Sequence, residues 1–262
     1  MAFMADELAQ LYSSGLPEAT RLTRTPHGRL EFLRIQELLR RTLPSPPARV
    51  LDVGGGTGVH AAWLAIDGYE VRLIDPVVAH VEAAAALDGV EAELGDARRL
   101  DCADSSVDAV VMLGPMYHLI HTTDRAQALA ECRRVLRPGG VIAVAGISRY
   151  LSLLESGAAG TLSAELAAAV TAVIDDGIYD GHVGFTPSQW HTAEQLGDEL
   201  RDASFRDVVV YGVEGPAWPA LDAAGMAKFA RLRDAALRAA RIVEQDPFMI
   251  NTSAHLVAVA VA

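Results

Sequence analysis

The stretch 49–58, Arg-Val-Leu-Asp-Val-Gly-Gly-Gly-Thr-Gly, constrains the fold more than any other part of the chain. It opens with a short apolar run that has no helical period and follows two prolines, a pattern that predicts a buried strand. Four glycines then break the strand, and residues 59–66 show an apolar helical pattern closed by Gly68. Glycine suits such a turn because the turn needs positive φ values and a close approach of the backbone to a ligand. The sequence therefore predicts a strand, a glycine loop and a helix, with a nucleotide-like ligand over the loop.

Two kinds of nucleotide fit the loop. The spacing Gly56-x-Gly58-x-x-Ala61 matches the loose dinucleotide fingerprint, with Asp75 at a suitable distance for a ribose. Asp52, at the end of the strand, would repel a pyrophosphate, but it suits a ligand with a cationic amino-acid end. Asp52 therefore favours such a ligand, and an NAD-dependent oxidoreductase is the alternative.

The spacing Asp52-x-Gly54-x-Gly56-x-Gly58 resembles motif I of the class I S-adenosylmethionine-dependent methyltransferases. Three further motifs in the order of that family are Asp75-Pro76, Gly95-Asp96-Ala97 and the helix-to-strand junction 131–140. The resemblance covers about residues 49–148, and 114–119 is similar to a bacterial branch of small-molecule methyltransferases. It implies an α/β fold: a Rossmann-like, seven-stranded, mostly parallel sheet with helices on both faces.

The same resemblance implies S-adenosylmethionine as the cofactor. Its binding residues are then expected to be Asp52, Gly54, Gly55, Gly56, Gly58, Asp75, Pro76, Asp96, Ala97, Leu113 and Tyr12. Asp75 would accept both ribose hydroxyls, and Asp96 would accept from the adenine amino group. Capping of its own turn is the alternative for Asp96. Tyr12 is either part of a lid over the cofactor or part of the core.

Two segments flank or interrupt the predicted sheet. Residues 1–43 are predicted to form an N-terminal helical lid of two or three helices, the last with a leucine stripe that packs on the sheet. Residues 49–262 then form the methyltransferase domain. Within it, 149–191 follow the fifth strand and end in a polar aromatic stretch, so we expect a cap over the methyl acceptor.

The later elements are predicted from capping residues and apolar runs. We expect a fourth strand at 107–113, then a helix to Arg137 that Pro138-Gly139-Gly140 ends, then a strand at 141–145. The capping box Thr192-x-x-Gln195 opens a further helix. The last elements are a strand at 208–213, one helix at about 220–244 and a strand at 255–261. Two late strands would close the sheet, as in the family.

Methyl transfer from a sulfonium is an in-line displacement, so the protein mainly aligns the reactants and excludes water. A base helps when the acceptor is a hydroxyl, a protonated amine or a carbon acid, and imidazole has a suitable pKa. His118 and His191 are the candidates, with packing or capping as the alternative for each. Tyr117 would shape the methyl channel or bind the acceptor, unless it belongs to the core. His118-x-x-His121 offers no third ligand by spacing, so no metal site is predicted.

Composition limits the partners. The formal net charge is −12, with 22 basic residues against 34 acidic ones, which opposes binding to nucleic acid. The Asn-Pro-Pro-Tyr sequence of amino-methylating nucleic-acid enzymes is absent as well. No apolar run is long enough for a membrane span, and the N-terminus lacks the pattern of a signal peptide. Only two cysteines are present, which excludes a disulfide framework.

These limits predict a cytoplasmic methyltransferase whose acceptor is a small molecule, such as a secondary metabolite. A protein that binds S-adenosylmethionine without catalysis, as the partner of another subunit, is a further alternative. The oligomeric state stays open between monomer and homodimer.

Overall fold

The computed structural model describes residues 18–181 and 185–262. Tyr12 lies outside these residues. The main sheet contains seven strands: β1 (Arg49–Val53), β2 (Glu70–Asp75), β3 (Val90–Leu94), β4 (Val107–Met112), β5 (Leu136–Ile147), β8 (Arg206–Gly212) and β9 (His255–Val261). A separate hairpin consists of β6 (Ile178–Tyr179) and β7 (Ser188–Gln189).

The described helices are α1 (Glu18–Arg24), α2 (Pro26–Thr42), α3 (Val59–Ile66), α4 (Val78–Ala85), α5 (Pro115–His118), α6 (Thr122–Val135), α7 (Leu151–Ala159), α8 (Ala164–Asp176), α9 (Ala193–Asp202), α10 (Trp218–Ala224) and α11 (Met226–Val243). Within the described part of the chain, no helix combines the length and apolar character needed to cross a bilayer.

The strand order is β3-β2-β1-β4-β5-β9-β8, with β1 to β5 parallel and β9 antiparallel to both of its neighbours. Helices cover both faces, because parallel strands need crossover connections and are apolar on both sides. The order reverses between β1 and β4, and ligands of open α/β sheets bind at the carboxyl ends of strands at such a switch. The predicted Rossmann-like sheet with two late closing strands is confirmed.

Two apolar clusters fill the space on either side of the sheet. One contains Leu129 of α6 and Leu196 of α9, both fully buried against the sheet. The other contains Leu38 and Leu39 of α2, which pack with the β1 and β2 strands. The predicted packing of this N-terminal helix on the sheet is therefore confirmed. Thr25 caps α2 because its hydroxyl accepts from the backbone N–H of Gly28.

Two predicted boundaries were wrong for identifiable reasons. The helix expected to reach Arg137 ends at Val135, because Leu136 already pairs with Val107 of β4 and so belongs to β5. The single helix expected over about 220–244 is two helices, since Gly225 takes φ 77° and ψ 165° between α10 and α11. Glycine adopts that conformation without a Cβ penalty, which allows the chain to turn there.

The capping box at the start of α9 is confirmed. The hydroxyl of Thr192 accepts from the N–H of Gln195, and the side chain of Gln195 accepts from the N–H of Thr192. The insertion after β5 forms α7, α8 and the β6–β7 hairpin. Its role as a cap over the acceptor stays a prediction.

Candidate active site

A cavity opens at the carboxyl ends of β1, β2 and β4, and it encloses about 1310 Å³ including the space at its mouth. The glycine loop after β1 and the turn after β2 form one side, and the loop that leads into α5 forms another. The N-terminal helices and the start of β9 complete its wall. The cavity lies at the topological switch point, which is where open α/β sheets bind their ligands.

The glycine loop is shaped by close contacts as well as by its dihedral angles. Gly54 has φ +68°, and a Cβ placed on it would lie 2.6 Å from Cγ of Pro115. Gly58 has φ +82°, and its Cβ would lie 2.6 Å from Cδ1 of Leu87. The loop therefore lies directly against α5 on one side and the end of α4 on the other. Gly58 ends the loop as the N-cap of α3, so it shapes the turn without lining the cavity.

Asp75 ties the glycine loop to the turn after β2. One carboxylate oxygen accepts from the N–H of Gly56 at 2.9 Å, and the other accepts from the N–H of Val77 at 2.9 Å. The imidazole Nδ1 of His80 lies 3.1 Å from the second oxygen. A carboxylate has about four lone-pair sites, so Asp75 can still accept from a ligand in the cavity it lines. Its predicted contact with the ribose stays a prediction.

Asp52 is a buried carboxyl group with a perturbed pKa. It is 2 % exposed, and burial, together with the nearby charge of Asp75, raises its pKa from 3.8 to about 7. Its Oδ2 has no hydrogen-bond partner among the described residues, and neither has the buried hydroxyl of Thr57. Both residues line the cavity. Buried polar atoms are rarely left unpaired, so these two indicate where a polar ligand binds.

Asp96 and Ala97 also line the cavity, in the turn after β3. The carboxylate of Asp96 accepts from the backbone N–H of Arg98 at 2.9 Å and from its guanidinium at 2.6 and 3.0 Å. The capping role is thus present in the structure. The contact with an adenine amino group stays a prediction, and it requires lone pairs that Arg98 does not use.

Leu113, Tyr117 and His118 also line the cavity, at the carboxyl end of β4 and in α5. Burial lowers the pKa of His118 to about 4, and the charge of Asp75 only partly opposes this shift. The imidazole is therefore neutral at pH 7. Its ring centroid lies 4.7 Å from that of Tyr117 and 5.9 Å from that of Phe185, which belongs to the insertion after β5.

Comparison with known proteins gives this cavity an interpretation. Residues 50–140 match the family model of the methyltransferase domain. This segment contains the glycine loop, the turns with Asp75 and Asp96, and α5 with Tyr117 and His118. It carries a class I methyltransferase domain.

Named relatives agree with this domain over part of their length. An uncharacterized methyltransferase of Mycobacterium tuberculosis is 40% identical over 99 residues, which is 37% of this chain and 39% of that protein. The methyltransferase GfsG of Streptomyces halstedii is 39% identical over 120 residues, covering 43% of this chain and 42% of that protein. The matches thus span about two fifths of the length of these relatives.

Solved methyltransferase structures share the whole fold. An S-adenosylmethionine-dependent methyltransferase of Thermotoga maritima superposes with a TM-score of 0.62 at 19% identity, over 100% of this chain and 99% of that one. One from Mesorhizobium loti has a TM-score of 0.60 at 18% identity, over 89% of this chain and 100% of that one. At these identities the likeness concerns the fold alone.

The residues of the cavity fit S-adenosylmethionine, the cofactor that the resemblance to motif I implies. The unpaired carboxyl oxygen of Asp52 and the unpaired hydroxyl of Thr57 offer acceptors for an ammonium or a hydroxyl group. The methyltransferase assignment does not favour the oxidoreductase alternative.

His191 does not line the cavity. It is 1 % exposed, its backbone N–H donates to the carbonyl of Ile147, and its Nε2 lies 3.5 Å from Glu199. A Cβ on Gly146 would lie 3.2 Å from its Nδ1, so the ring packs against β5. This position favours the packing alternative for His191, and its role as a base stays a prediction.

The structure also brings residues to the cavity wall that the motifs did not select. Arg21, Glu31 and His255 line the cavity, and Glu214 lies directly behind His255. Glu214 opens the stretch Glu214-Gly-Pro-Ala-Trp218 and is 0 % exposed. A fully buried charged residue is informative, but burial is not visible in the sequence.

Proposed function

We propose that this protein transfers a methyl group from S-adenosylmethionine to a small-molecule acceptor, such as a secondary metabolite. The observation that carries the proposal is the unpaired, buried carboxyl oxygen of Asp52 at the glycine loop, in a cavity that Tyr117 and His118 also line. One curated relative, of Acidiphilium cryptum, is named as a C-methyltransferase of ubiquinone and menaquinone biosynthesis, and it is 37% identical over 105 residues. That name supports a small acceptor.

The cavity lining includes several apolar side chains. Leu22, Ile35 and Ala145 are among them, and burial of an acceptor against them would exclude water. The formal net charge of −12 opposes a polyanionic acceptor. A small, partly apolar acceptor with one polar reacting group fits this wall.

S-adenosylmethionine supplies an activated methyl group on a sulfonium, so no side chain has to act as a nucleophile. Asp52, Thr57 and the glycine loop would hold the cofactor, while Asp75 keeps the loop in place through Gly56. Tyr117 would orient the acceptor through its hydroxyl group. His118 is neutral and faces the cavity, so it would accept a hydrogen bond from the reacting group of the acceptor. Its pKa of about 4 makes it a weak base, which suits alignment better than full proton abstraction.

The test is an incubation with methyl-labelled S-adenosylmethionine and a panel of phenols, amines, thiols and carbon acids, with transfer RNA and duplex DNA as controls. We expect label and S-adenosylhomocysteine to appear with a small molecule and not with nucleic acid. His118→Asn and Tyr117→Phe should each lower kcat by about 10-fold or more without changing the Kd of the cofactor. Label in nucleic acid would contradict the proposal. Cofactor binding with no transfer would favour the non-catalytic alternative.

A further inference from the structure

Four metal-ligating side chains converge at the wall of the cavity, although no metal site was predicted from the sequence. His27 and Glu31 lie one turn apart on the same face of α2. Glu214 follows β8, and His255 is the first residue of β9. One ligand atom from each residue lies within 4.8 Å of all the others. We propose that this cluster binds a divalent transition-metal ion, and that zinc is its natural class of ligand.

The distances bring the four donor atoms around one point. Oε1 of Glu214 lies 3.2 Å from Nε2 of His27 and 2.7 Å from Nδ1 of His255. Oε2 of Glu31 lies 3.7 Å from the same Nδ1 of His255. Ligands at ~2.0–2.1 Å from a tetrahedral zinc are about 3.3 Å apart. These three distances differ from that spacing by about 0.6 Å or less, and all four donor atoms lie within 4.8 Å of one another.

The donor set selects the class of metal. Two imidazole nitrogens and carboxylate oxygens suit zinc and its first-row neighbours, whereas magnesium and calcium prefer oxygen ligands throughout. Outer contacts hold the ligands in place as in known metal sites. The backbone N–H of His27 donates to Asp222 at 2.7 Å, and the guanidinium of Arg21 donates to both oxygens of Glu31 at 2.9 and 3.0 Å.

The charges around the cluster leave a place for a dication. Glu31 and Glu214 are 5 % and 0 % exposed, and a carboxylate oxygen of Asp222 lies 3.9 Å from Nδ1 of His27. Arg21 is the one guanidinium paired with these three carboxylates among the described residues. Buried charges need compensation, so Glu31 and Glu214 require positive charges beyond that of Arg21. Protons on both imidazoles or one divalent cation would supply them, and metal titration distinguishes these states.

The cluster lies next to the cavity, so a bound ion could contact a methyl acceptor. Glu31 and His255 line the cavity, so an ion held by His27, Glu214 and His255 would have an open side toward an acceptor. Catalytic zinc sites have three protein ligands and such an open position, and they lower the pKa of a bound oxygen or sulfur acid. This role rests on the proposed methyl transfer, and it points to hydroxyl or thiol acceptors. The binding of the ion itself does not depend on it.

The test is calorimetric titration of chelator-treated full-length protein with zinc chloride, with magnesium chloride as a comparison. We expect one zinc ion per chain and no comparable binding of magnesium. His27→Gln and Glu214→Gln should weaken zinc binding by about 100-fold or more. His121→Gln is the matched control: His121 is exposed and outside the cluster, so its variant should bind zinc like the parent.

A second measurement keeps the test independent of folding of the variants. Cobalt added to the unaltered protein should give the intense visible absorption of a four-coordinate nitrogen and oxygen site, and zinc should displace it. Absence of stoichiometric zinc binding, or equal binding by the two cluster variants and the parent, would overturn the proposal. Cofactor binding measured on the same preparations reports on the methyltransferase proposal separately, since S-adenosylmethionine can bind with or without the metal.

Discussion

At pH 8 and without ligand, the Asp52→Asn variant is expected to have a free energy of unfolding about 2–4 kcal/mol higher than that of the parent protein. The reason is the raised pKa of Asp52, about 7 in the folded protein against an ordinary value of 3.8. Each pKa unit corresponds to about 1.4 kcal/mol. Urea unfolding of both proteins, followed by circular dichroism, measures the difference.

The size of the effect changes with pH in a defined way. Above pH 7, Asp52 is ionised in both folded and unfolded chains, so the full cost of burying the charge is present. Between pH 7 and pH 3.8 the folded chain binds more protons, and the advantage of asparagine decreases. Near pH 4 it should vanish. Asp88→Asn, at an exposed turn position, is the control and should change stability by less than about 0.5 kcal/mol at every pH.

The same variant should lose affinity for S-adenosylmethionine by about 10-fold or more, because a charge-assisted hydrogen bond to the cationic end of the cofactor is lost. Stability and binding would thus move in opposite directions. An unfolding free energy that stays equal to that of the parent at pH 8 would contradict the buried-charge account. A stability gain with unchanged cofactor affinity would contradict the place of Asp52 in the cofactor site.

Gly54→Ala is expected to lower the affinity for S-adenosylmethionine by about 100-fold, which corresponds to about 2.7 kcal/mol. A non-glycine residue at φ +68° costs about 1–2 kcal/mol in the backbone. The new Cβ would also lie 2.6 and 2.7 Å from the ring of Pro115, a rigid side chain at the start of α5. The clash therefore displaces the glycine loop and α5, the helix that contains Tyr117. Calorimetric titration with the cofactor measures the loss.

The Gly139→Ala variant is the control that separates the effect of backbone strain from the effect of the contact with Pro115. Gly139 has φ +79°, and a Cβ placed on it would meet nothing within 4 Å. The backbone strain is thus similar to that at Gly54, while the clash is absent and the position lies in β5, away from the cavity. We expect a modest loss of stability and full cofactor affinity. Equal cofactor affinities for the two variants would refute the role of the contact with Pro115.

The central architecture could be predicted because local signals in the sequence agree with the global fold. The glycine loop, Asp75-Pro76 and the apolar runs each appear as strong local patterns, and the parallel sheet follows from their order. Boundaries were less certain where one residue has two competing roles. Leu136 could extend a helix or begin a strand, and only its pairing with Val107 decides for the strand. Gly225 could be tolerated inside a helix, and its backbone conformation shows that it ends one.

The site was predicted in part for the same reason. Asp52, Asp75, Tyr117 and His118 lie in or beside recognisable motifs, and they meet at one cavity. His191 has the same residue type and a nearby cap, but the fold buries it against β5. This burial could not be read from the sequence.

The cluster of His27, Glu31, Glu214 and His255 could not be predicted from the sequence. These residues are separated by up to about 230 positions in the chain, and no spacing rule connects them. The antiparallel pairing of Gly212 with Leu256 brings Glu214 and His255 together, and the packing of α2 adds the other two. Sites assembled from distant elements require the tertiary structure.

The most direct test of the methyltransferase account is calorimetric titration of the purified protein with S-adenosylmethionine and S-adenosylhomocysteine, with NAD as the comparison. We predict one binding site per chain for both sulfur ligands and no binding of NAD. Asp75→Ala should weaken both ligands, because it removes the carboxylate that holds Gly56 and faces the cavity. Binding of NAD without binding of the sulfur ligands, by protein shown to be folded, would contradict the account.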